Sequence, residues 1–302
     1  MPKIAYLTRR FSSRSQQTIE KANAIIAEYQ AQGFTLTLRQ LYYQFVARDL
    51  IPNRVREYKR LGQVVNDARL AGLIDWEAIE DRTRNLAALS HWADPSDIIG
   101  SAAASYRIDK WATQPRRVEV WIEKEALAGV FAGVCRELDV PYLSCRGYTS
   151  QSEMWGASMR LRRYVEARQE VVILHFGDHD PSGIDMTRDI RERLRVFGAR
   201  LQLKRLALNM DQVDKYKPPP NPAKETDSRY QGYIARFGGE SWELDALEPK
   251  MLAGLLRRQV EGLRDAGPWK SAVTEEAEDR KLLESAAGRW HELEAFLKDT
   301  ED

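Results

Sequence analysis

Acidic residues stand at two places in the chain just beyond a short apolar run that is typical of a buried strand. Glu123 follows the run VEVWI, and Asp178 and Asp180 follow the run VVILHF. In an open parallel sheet, ligands collect outside the carboxyl ends of the strands. Carboxylate oxygens suit a hard cation such as Mg²⁺, which commonly takes one or two of them together with waters and substrate phosphates. We therefore predict that Glu123, Asp178 and Asp180 form a Mg²⁺ site, in which Mn²⁺ can substitute.

Other interpretations of the second acidic group stay open at this point. Asp178, Asp180 and the later Asp189 have the spacing of a helix–loop–helix calcium loop. That loop needs an entering helix, whereas VVILHF is β-branched and Pro181 interrupts the loop, so the calcium interpretation is the weaker one. A solvated turn whose Asp and Ser side chains cap the next helix is the plainer alternative.

A second candidate for chemistry is a pair of tyrosines near the amino terminus. Thr37 and Gln40 fit a capping box, which predicts that a helix begins there. Tyr42 falls on the apolar stripe of this helix and is predicted to pack in a core. Tyr43 points about 100° away from it, one turn after Arg39, and a partly exposed phenol beside a guanidinium is a candidate nucleophile. An ordinary surface tyrosine is the alternative.

The next predicted helix carries a basic face. Arg56, Lys59 and Arg60 lie opposite its apolar residues, as in a helix that contacts DNA phosphates or is simply solvated. Residues 1–60 contain eleven Lys and Arg against four Asp and Glu, whereas the whole chain has a net charge of only +1. This local excess favours a polyanion-binding surface in the amino-terminal part of the chain.

The elements that must position these residues fall into two patterns. Helical periodicity with well-placed glycines predicts three helices near 15–32, 37–48 and 54–71, followed by a β wing at Leu73–Ile79. Four apolar runs alternating with helical stretches then predict a parallel sheet, with strands at Val118–Ile122, Val140–Cys145, Val171–Phe176 and Leu201–Leu208. A proline-rich segment over 215–227 interrupts the chain, and the tail over 243–302 is mostly amphipathic helix.

Composition restricts the possible class of protein. The chain has 302 residues, of which 43% are hydrophobic and 30% charged, so it can bury a core. No apolar run approaches the roughly 18 residues that a membrane span needs, and the start of the chain has no signal-peptide core. The two cysteines match no zinc or CxxC spacing. We expect a reduced, cytoplasmic protein with no membrane partner.

Three segments together resemble one family. TLRQLYYQF resembles the tyrosine helix in the winged-helix domain of topoisomerase VI A subunits and the related meiotic double-strand-break proteins. VEVWIEKEA followed by GDHDPSG resembles their Toprim domain, and RGYTS resembles the loop between the two acidic motifs. The resemblance implies an α/β protein with a winged-helix domain over 1–100, a Toprim domain over 116–210, and a proline-rich connector and helical extension over 211–302.

The resemblance also implies roles for the candidate residues. Tyr43 would attack DNA, Arg39 would assist it, and Glu123 rather than Glu125 would hold Mg²⁺ with the two aspartates of GDHD. The family forms a 5′-phosphotyrosyl link in a homodimer, where one protomer supplies the tyrosine and the other the metal. This chain departs from the pattern at Thr149, where the family has proline, and it is short. Strand passage would require a separate ATPase subunit.

These observations lead to one leading hypothesis and two rivals. The leading hypothesis is a Mg²⁺-dependent, topoisomerase VI A-like enzyme that makes double-strand breaks in DNA through Tyr43. The first rival is a hydrolytic Toprim nuclease, in which a metal-bound water attacks the phosphate. The second is a non-catalytic winged-helix adaptor that only binds DNA.

Overall fold

A computed structural model of the chain describes residues 3–80 and 89–299. Contacts divide these residues into two compact units, one of residues 1–84 with 118–262 and the other of residues 85–117 with 263–302. Every side chain considered below as a candidate site residue belongs to the first unit. None of the helices in the described ranges is both long enough and apolar enough to cross a membrane.

The described residues form twelve α-helices and six strands. The helices are α1 Ser13–Gln30, α2 Leu38–Ala47, α3 Val55–Leu70, α4 Pro95–Ser105, α5 Ala128–Glu137, α6 Gln151–Glu166, α7 Pro181–Val196, α8 Met210–Tyr216, α9 Tyr230–Phe237, α10 Pro249–Glu261, α11 Ala266–Gly288 and α12 Trp290–Asp299. The strands are β1 Arg116–Ile122, β2 Tyr142–Ser144, β3 Glu170–Phe176, β4 Gln202–Ala207, β5 Asn221–Pro222 and β6 Glu240–Ser241.

Strands β1 to β4 form a parallel sheet in the order β2-β1-β3-β4, which confirms the predicted α/β class. Val120 pairs with Tyr142 across β1 and β2, and Val172 pairs with Gln202 across β3 and β4. The strand order therefore reverses between β1 and β3. A reversal of this kind leaves a crevice at the carboxyl ends of the two strands, where such sheets bind ligands.

Helices cover both faces of the sheet because its strands are apolar on both sides. On one face, Trp121 and Ile173 belong to a buried cluster with Leu161 of α6 and Ile190 of α7. On the other face, the ring of Phe176 lies 4.5 Å from the ring of Phe131 in α5. The sheet is thus fixed from both sides, and its strand ends are held in place by a rigid frame.

The three amino-terminal helices form as predicted, within two residues at each end. The side chain of Thr37 accepts the backbone N–H of Gln40, and the Gln40 side chain completes the capping box that begins α2. The predicted wing at Leu73–Ile79 is not confirmed, because these residues contain no strand and make only an isolated bridge between Ile79 and Leu36. The side chains of Ile79 and Ile74 are instead buried in the helical core.

The proline-rich segment is not only the connector that the sequence predicted, because part of it forms a strand. Its prolines do exclude helix, but Asn221 and Pro222 form β5, which pairs antiparallel with β6. Pro222 can occupy this ribbon because it lies at an edge. The residues after β6 continue into a short 3-10 turn over Leu244–Ala246 before α10 begins, so the predicted helical tail starts later than residue 243.

The second unit contains helices α4, α11 and α12. Helix α4 packs along α11, and the ring of Trp111 lies 5.8 Å from that of Trp269. The buried ammonium of Lys110 forms an ion pair with Glu276, and the hydroxyl of Tyr106 donates to Asp279 at 2.7 Å.

Two glycines of the first unit allow a matched test of its packing near Ala5. Gly33 and Gly72 both have positive φ, at 79° and 71°, but only Gly72 lies against another segment, since a Cβ there would be 2.8 Å from the backbone nitrogen of Ala5. We expect Gly33→Ala to lower the free energy of unfolding by about 1 kcal/mol. Gly72→Ala should cost clearly more, because the steric clash adds to the strain. Urea denaturation measures both; equal losses would contradict the close approach to Ala5.

Candidate functional site

The acidic residues meet where β1 and β3 end. The Oε2 atom of Glu123 accepts the backbone N–H of Asp178 at 2.8 Å, so the two carboxylates lie at one point of the sheet edge. Glycines make this contact possible. A Cβ on Gly183 would lie 2.3 Å from the carbonyl oxygen of Asp178, and a Cβ on Gly177 would lie 2.8 Å from the Glu123 Oε2 atom.

Asp180 caps helix α7, which is one of the roles that the sequence pattern allowed for it. It is the N-cap of α7, where its Oδ1 atom accepts the N–H of Gly183 at 2.6 Å and the hydroxyl of Ser182 at 3.0 Å. A calcium loop is excluded because strand β3, rather than a helix, leads into this turn. Among the described residues, Asp180 Oδ2 has no hydrogen-bond partner and remains available to a cation.

Asp178 has both carboxylate oxygens engaged by the protein. Its Oδ1 atom accepts the backbone N–H of Leu244 at 2.8 Å, and its Oδ2 atom lies 2.8 Å from the Nζ atom of Lys124. The ammonium of Lys124 also contacts the carboxylates of Glu243 and Asp245. Lys124 is therefore the charged partner of Asp178, and the role of Asp178 as a metal ligand stays a prediction.

The same two carboxylates bind the predicted helper of the tyrosine. The Nη2 atom of Arg39 lies 2.6 Å from Glu243, and its Nε atom lies 3.2 Å from Asp245. The Arg39 Nη2 atom is also 3.5 Å from the hydroxyl of Tyr43. A continuous chain of ion pairs thus connects helix α2 with the carboxyl ends of β1 and β3.

Tyr43 is buried, which contradicts the expectation of a partly exposed phenol. Its side chain is 5% exposed, the same fraction as Tyr42. Burial, followed by the nearby carboxylates of Asp245 and Glu243, raises the pKa of Tyr43 above its ordinary range, and Arg39 only partly opposes this. The cation was expected to favour phenolate, but the surrounding negative charge outweighs it.

Tyr42 packs in the core as predicted and also has a polar role that its position on the apolar stripe did not indicate. Its hydroxyl accepts the backbone N–H of Arg54 at 2.8 Å and lies 2.9 Å from the Oδ1 atom of Asn53. The Asn53 side chain in turn donates to Asn221 of β5. Tyr42 therefore links α2 to the start of α3 and, through Asn53, to the proline-rich segment.

A cavity of about 590 Å³ joins the two halves of the site. Tyr43 and Arg39 line it from α2, and Glu123, Asp178 and Asp180 line it from the sheet edge. Basic residues also line it, namely Arg54, Lys124 and Lys224. All five residues predicted for chemistry therefore face a single cavity within one chain.

Three carboxylates of the cavity, Glu123, Asp178 and Glu243, have strongly perturbed pKa values. Burial and the neighbouring Asp178 and Asp180 raise the pKa of Glu123 to about 8. Burial also raises the pKa of Asp178 to about 6, although Lys124 opposes the shift. In contrast, Lys124 and Arg39 outweigh the effect of burial on Glu243 and lower its pKa to about 2.

Two oxygens in the cavity suit a divalent cation. Glu123 Oε1 and Asp180 Oδ2 have no protein hydrogen bond in the described ranges, and two carboxylates are a common protein contribution to a Mg²⁺ site. Repulsion among the carboxylates around Glu123 would be relieved by a bound cation. Residues 3–80 and 89–299 contain no group of three or more His, Cys, Asp or Glu side chains already arranged to hold a metal ion. The metal therefore stays a prediction, with Glu123 and Asp180 as its best-placed ligands.

The residues predicted to bind DNA lie outside the cavity, and so do Glu125 and a histidine pair, which were not predicted as site residues. Glu125 contacts Arg146 at 3.1 Å and does not line the cavity. Arg56 and Lys59 are exposed on α3, and Arg60 forms an ion pair with Glu57 at 2.7 Å. Their role in DNA binding stays a prediction. His175 and His179, whose spacing resembles a zinc pair, instead bond to Thr187 and Tyr233.

Sequence reasoning missed the residues that connect the site. Lys124 was visible between the two glutamates of EKE, but nothing marked it as more than a neighbour. Glu243 and Asp245 lie in WELDAL, beyond the proline-rich segment, and carry no motif that predicts a partner 204 residues away in Arg39.

Comparison of the chain with models of known protein families, with curated proteins and with solved structures finds no match.

Stability should depend on pH through Glu123. Its pKa rises from 4.5 to about 8, so the folded protein keeps a proton that the unfolded chain has lost between these values. Stability therefore falls as pH rises through this window. We expect Glu123→Gln to stabilise the metal-free protein at pH 8, by on the order of 1–3 kcal/mol, with a smaller gain towards pH 5.

Thermal unfolding in EDTA at both pH values measures this difference. Glu125→Gln is the matched control, because its carboxylate lies outside the cavity, and its melting temperature should change little with pH relative to wild type. A Glu123→Gln gain that is the same at pH 5 and pH 8 would contradict the assignment.

Proposed function

We propose that the protein cleaves double-stranded DNA in a Mg²⁺-dependent reaction of the topoisomerase VI A type, with a winged-helix domain and a Toprim domain. The observation that carries this proposal is the shared cavity. It places a tyrosine with its arginine opposite strand-end carboxylates, with basic side chains on the same walls. Phosphoryl transfer requires these components: a nucleophile, cations for the phosphate, and ligands for a metal.

In this reaction the Tyr43 oxygen attacks a backbone phosphorus atom and the bond from phosphorus to the 3′ oxygen breaks. The phenol loses its proton, and the departing 3′ oxygen gains one, which leaves a 5′-phosphotyrosyl link and a free 3′ hydroxyl. Arg39 steadies the phosphate, and Asp178 keeps Lys124 beside it. Mg²⁺ bound at Glu123 and Asp180 would stabilise the charge that develops on the phosphate and on the leaving oxygen.

DNA would approach along the basic surface of the amino-terminal helices. Arg56 and Lys59 are exposed on α3 near Arg54, which lines the cavity. Phosphate contacts of this kind position a duplex without reading its sequence. The chain would act as the cutting subunit, and strand passage would depend on a separate ATPase subunit.

A hydrolytic nuclease is the second candidate, and the burial of Tyr43 favours it. A phenol whose pKa is raised by burial and by two carboxylates is a poor nucleophile at neutral pH. In this alternative, Glu123 and Asp180 would hold a Mg²⁺ ion, which would supply an activated water for attack on the phosphate in place of Tyr43. Both candidates require the same carboxylates, so they differ in the state of the DNA ends and in whether cleavage needs the Tyr43 hydroxyl.

Replacement of each tyrosine distinguishes the two mechanisms. Tyr43→Phe removes the nucleophilic oxygen and should abolish protein-linked DNA, whereas binding of DNA persists. Tyr42→Phe loses one buried hydrogen-bond network, which should cost about 1 kcal/mol of stability, and should still cleave. The measurement uses supercoiled plasmid with Mg²⁺ or Mn²⁺, followed by detergent and protease. Wild-type cleavage by Tyr43→Phe, with free ends, would establish the hydrolytic mechanism.

A second test concerns the homodimer that the family resemblance implies. The family combines the tyrosine of one protomer with the metal of the other, but here Tyr43 and Glu123 line one cavity of a single chain. We therefore expect each chain to cut with its own residues. Tyr43→Phe and Glu123→Ala should each be inactive, and a mixture of the two should stay inactive.

The mixture is best prepared by coexpression with two different affinity tags, so that any heterodimer can be purified. Restored cleavage in that heterodimer would demonstrate a composite site between subunits. The Tyr43→Phe, Glu123→Ala double variant mixed with wild-type chain is the control, because it dilutes active chains without offering complementation.

A further inference from the structure

We infer that the Glu243 carboxylate occupies the binding site of a DNA backbone phosphate, and that the bound strand displaces it from Arg39 and Lys124. This inference rests on the proposed DNA-cleaving function and adds a phosphate subsite to it. Glu243 lies between the two cations, 2.6 Å from Arg39 Nη2 and in contact with Lys124 Nζ. It also lines the cavity into which Tyr43 and Glu123 face.

The two carboxylates that bind these cations differ in their position. Asp245 has a fully buried side chain, and it contacts Arg39 at 3.2 Å and Lys124 at 3.1 Å. The Glu243 side chain is 25% exposed and reaches the same two cations from the cavity. Asp245 is therefore a permanent counter-ion of the pair, whereas Glu243 occupies the side that a ligand can reach.

The chemistry of the pair suits a phosphodiester. A guanidinium presents a planar fork of donors that matches a carboxylate or a phosphate, and an ammonium adds a compact charge. A phosphodiester carries one negative charge, as Glu243 does, so the exchange leaves the net charge of the cluster unchanged. This matters because a buried cluster with an unpaired charge would be strongly destabilised.

The backbone beside Glu243 is anchored, so the exchange needs only a side-chain rotation. Trp242 and His179 exchange two backbone hydrogen bonds, at 2.8 and 2.9 Å, on one side of Glu243. On the other side, the N–H of Leu244 donates to Asp178. Rotation of the Glu243 side chain towards solvent releases both cations from Glu243, while Asp245 stays paired with them and the segment stays in place.

Displacement would also change the surroundings of the proposed nucleophile. Glu243 is one of the two carboxylates that oppose ionisation of Tyr43, and Arg39 favours it. A phosphate on Arg39 brings the scissile group within reach of the Tyr43 hydroxyl, which lies 3.5 Å from the Arg39 Nη2 atom. The subsite therefore connects DNA binding with the position of the reacting atoms.

The experiment measures DNA affinity without cleavage. All variants carry Tyr43→Phe and are measured in EDTA, by fluorescence anisotropy of a labelled duplex over a series of salt concentrations. Glu243→Gln keeps the shape of the side chain and removes the competing charge, so we expect about tenfold tighter binding, which corresponds to about 1.4 kcal/mol. Glu240→Gln, at an exposed position in the same segment, is the matched control and should bind like the parent.

A third variant shows whether the gain in DNA affinity depends on the ammonium of Lys124. Adding Lys124→Met to Glu243→Gln should abolish the tighter binding, because the phosphate subsite then lacks its ammonium. Circular dichroism and thermal melting check that each variant is folded, and Glu243→Ala provides a second version if the Gln variant is unstable.

The outcomes separate this inference from the proposed function. Tighter binding by Glu243→Gln but not by Glu240→Gln supports the phosphate subsite. Unchanged or weaker binding by Glu243→Gln, where the parent binds DNA, overturns the subsite and leaves the proposed function standing. Failure of the wild-type protein to bind or cleave any DNA overturns both.

Discussion

The ammonium of Lys124 is the group on which the rest of the site depends. It stands at the end of β1 and contacts Asp178 after β3, as well as Glu243 and Asp245 after β6. A charge in such a buried position is costly unless it is paired. Burial tends to lower its pKa, but these carboxylates hold it well above the ordinary value, so Lys124 stays charged. If the end of β1, the end of β3 and residues 243–245 separated, their charged side chains would lose their partners. The need to keep these charges paired therefore holds the walls of the cavity together.

The network that assembles the cavity also sets its resting state. Burial raises the pKa of Tyr43 first, and the carboxylates that neutralise Lys124 and Arg39 raise it further, so together they keep the phenol protonated. A phenol that is kept protonated in this way is a poor nucleophile until its surroundings change. The sequence around Tyr43 does not predict this state, because the direction of the Tyr43 pKa shift is decided by residues that are distant in the chain.

Local patterns predicted the elements, and long-range contacts decided the details. Apolar runs predicted all four strands of the parallel sheet, and the capping box predicted the start of α2. The strand ends were predicted as the place where Glu123 and Asp178 meet, since adjacent parallel strands bring their carboxyl ends together. The exposure of Tyr43 was predicted wrongly, because helix phase alone does not show that a 3-10 turn over Leu244–Ala246 lies near α2. The β wing after α3 was predicted only from the order of the elements, three helices followed by a short segment, and it is not confirmed.

The distance along the chain between Arg39 and Glu243 has a consequence for synthesis of the protein. The tyrosine helix leaves the ribosome early, whereas its carboxylate partners follow 204 residues later. At about 5–20 residues per second, the interval is on the order of tens of seconds. During that time Arg39 and Lys124 have neither Glu243 nor Asp245, and the cavity cannot close. A chain that ends before Glu243 therefore lacks the assembled centre, so any activity of the cavity would be acquired only after residues 243–245 have been made.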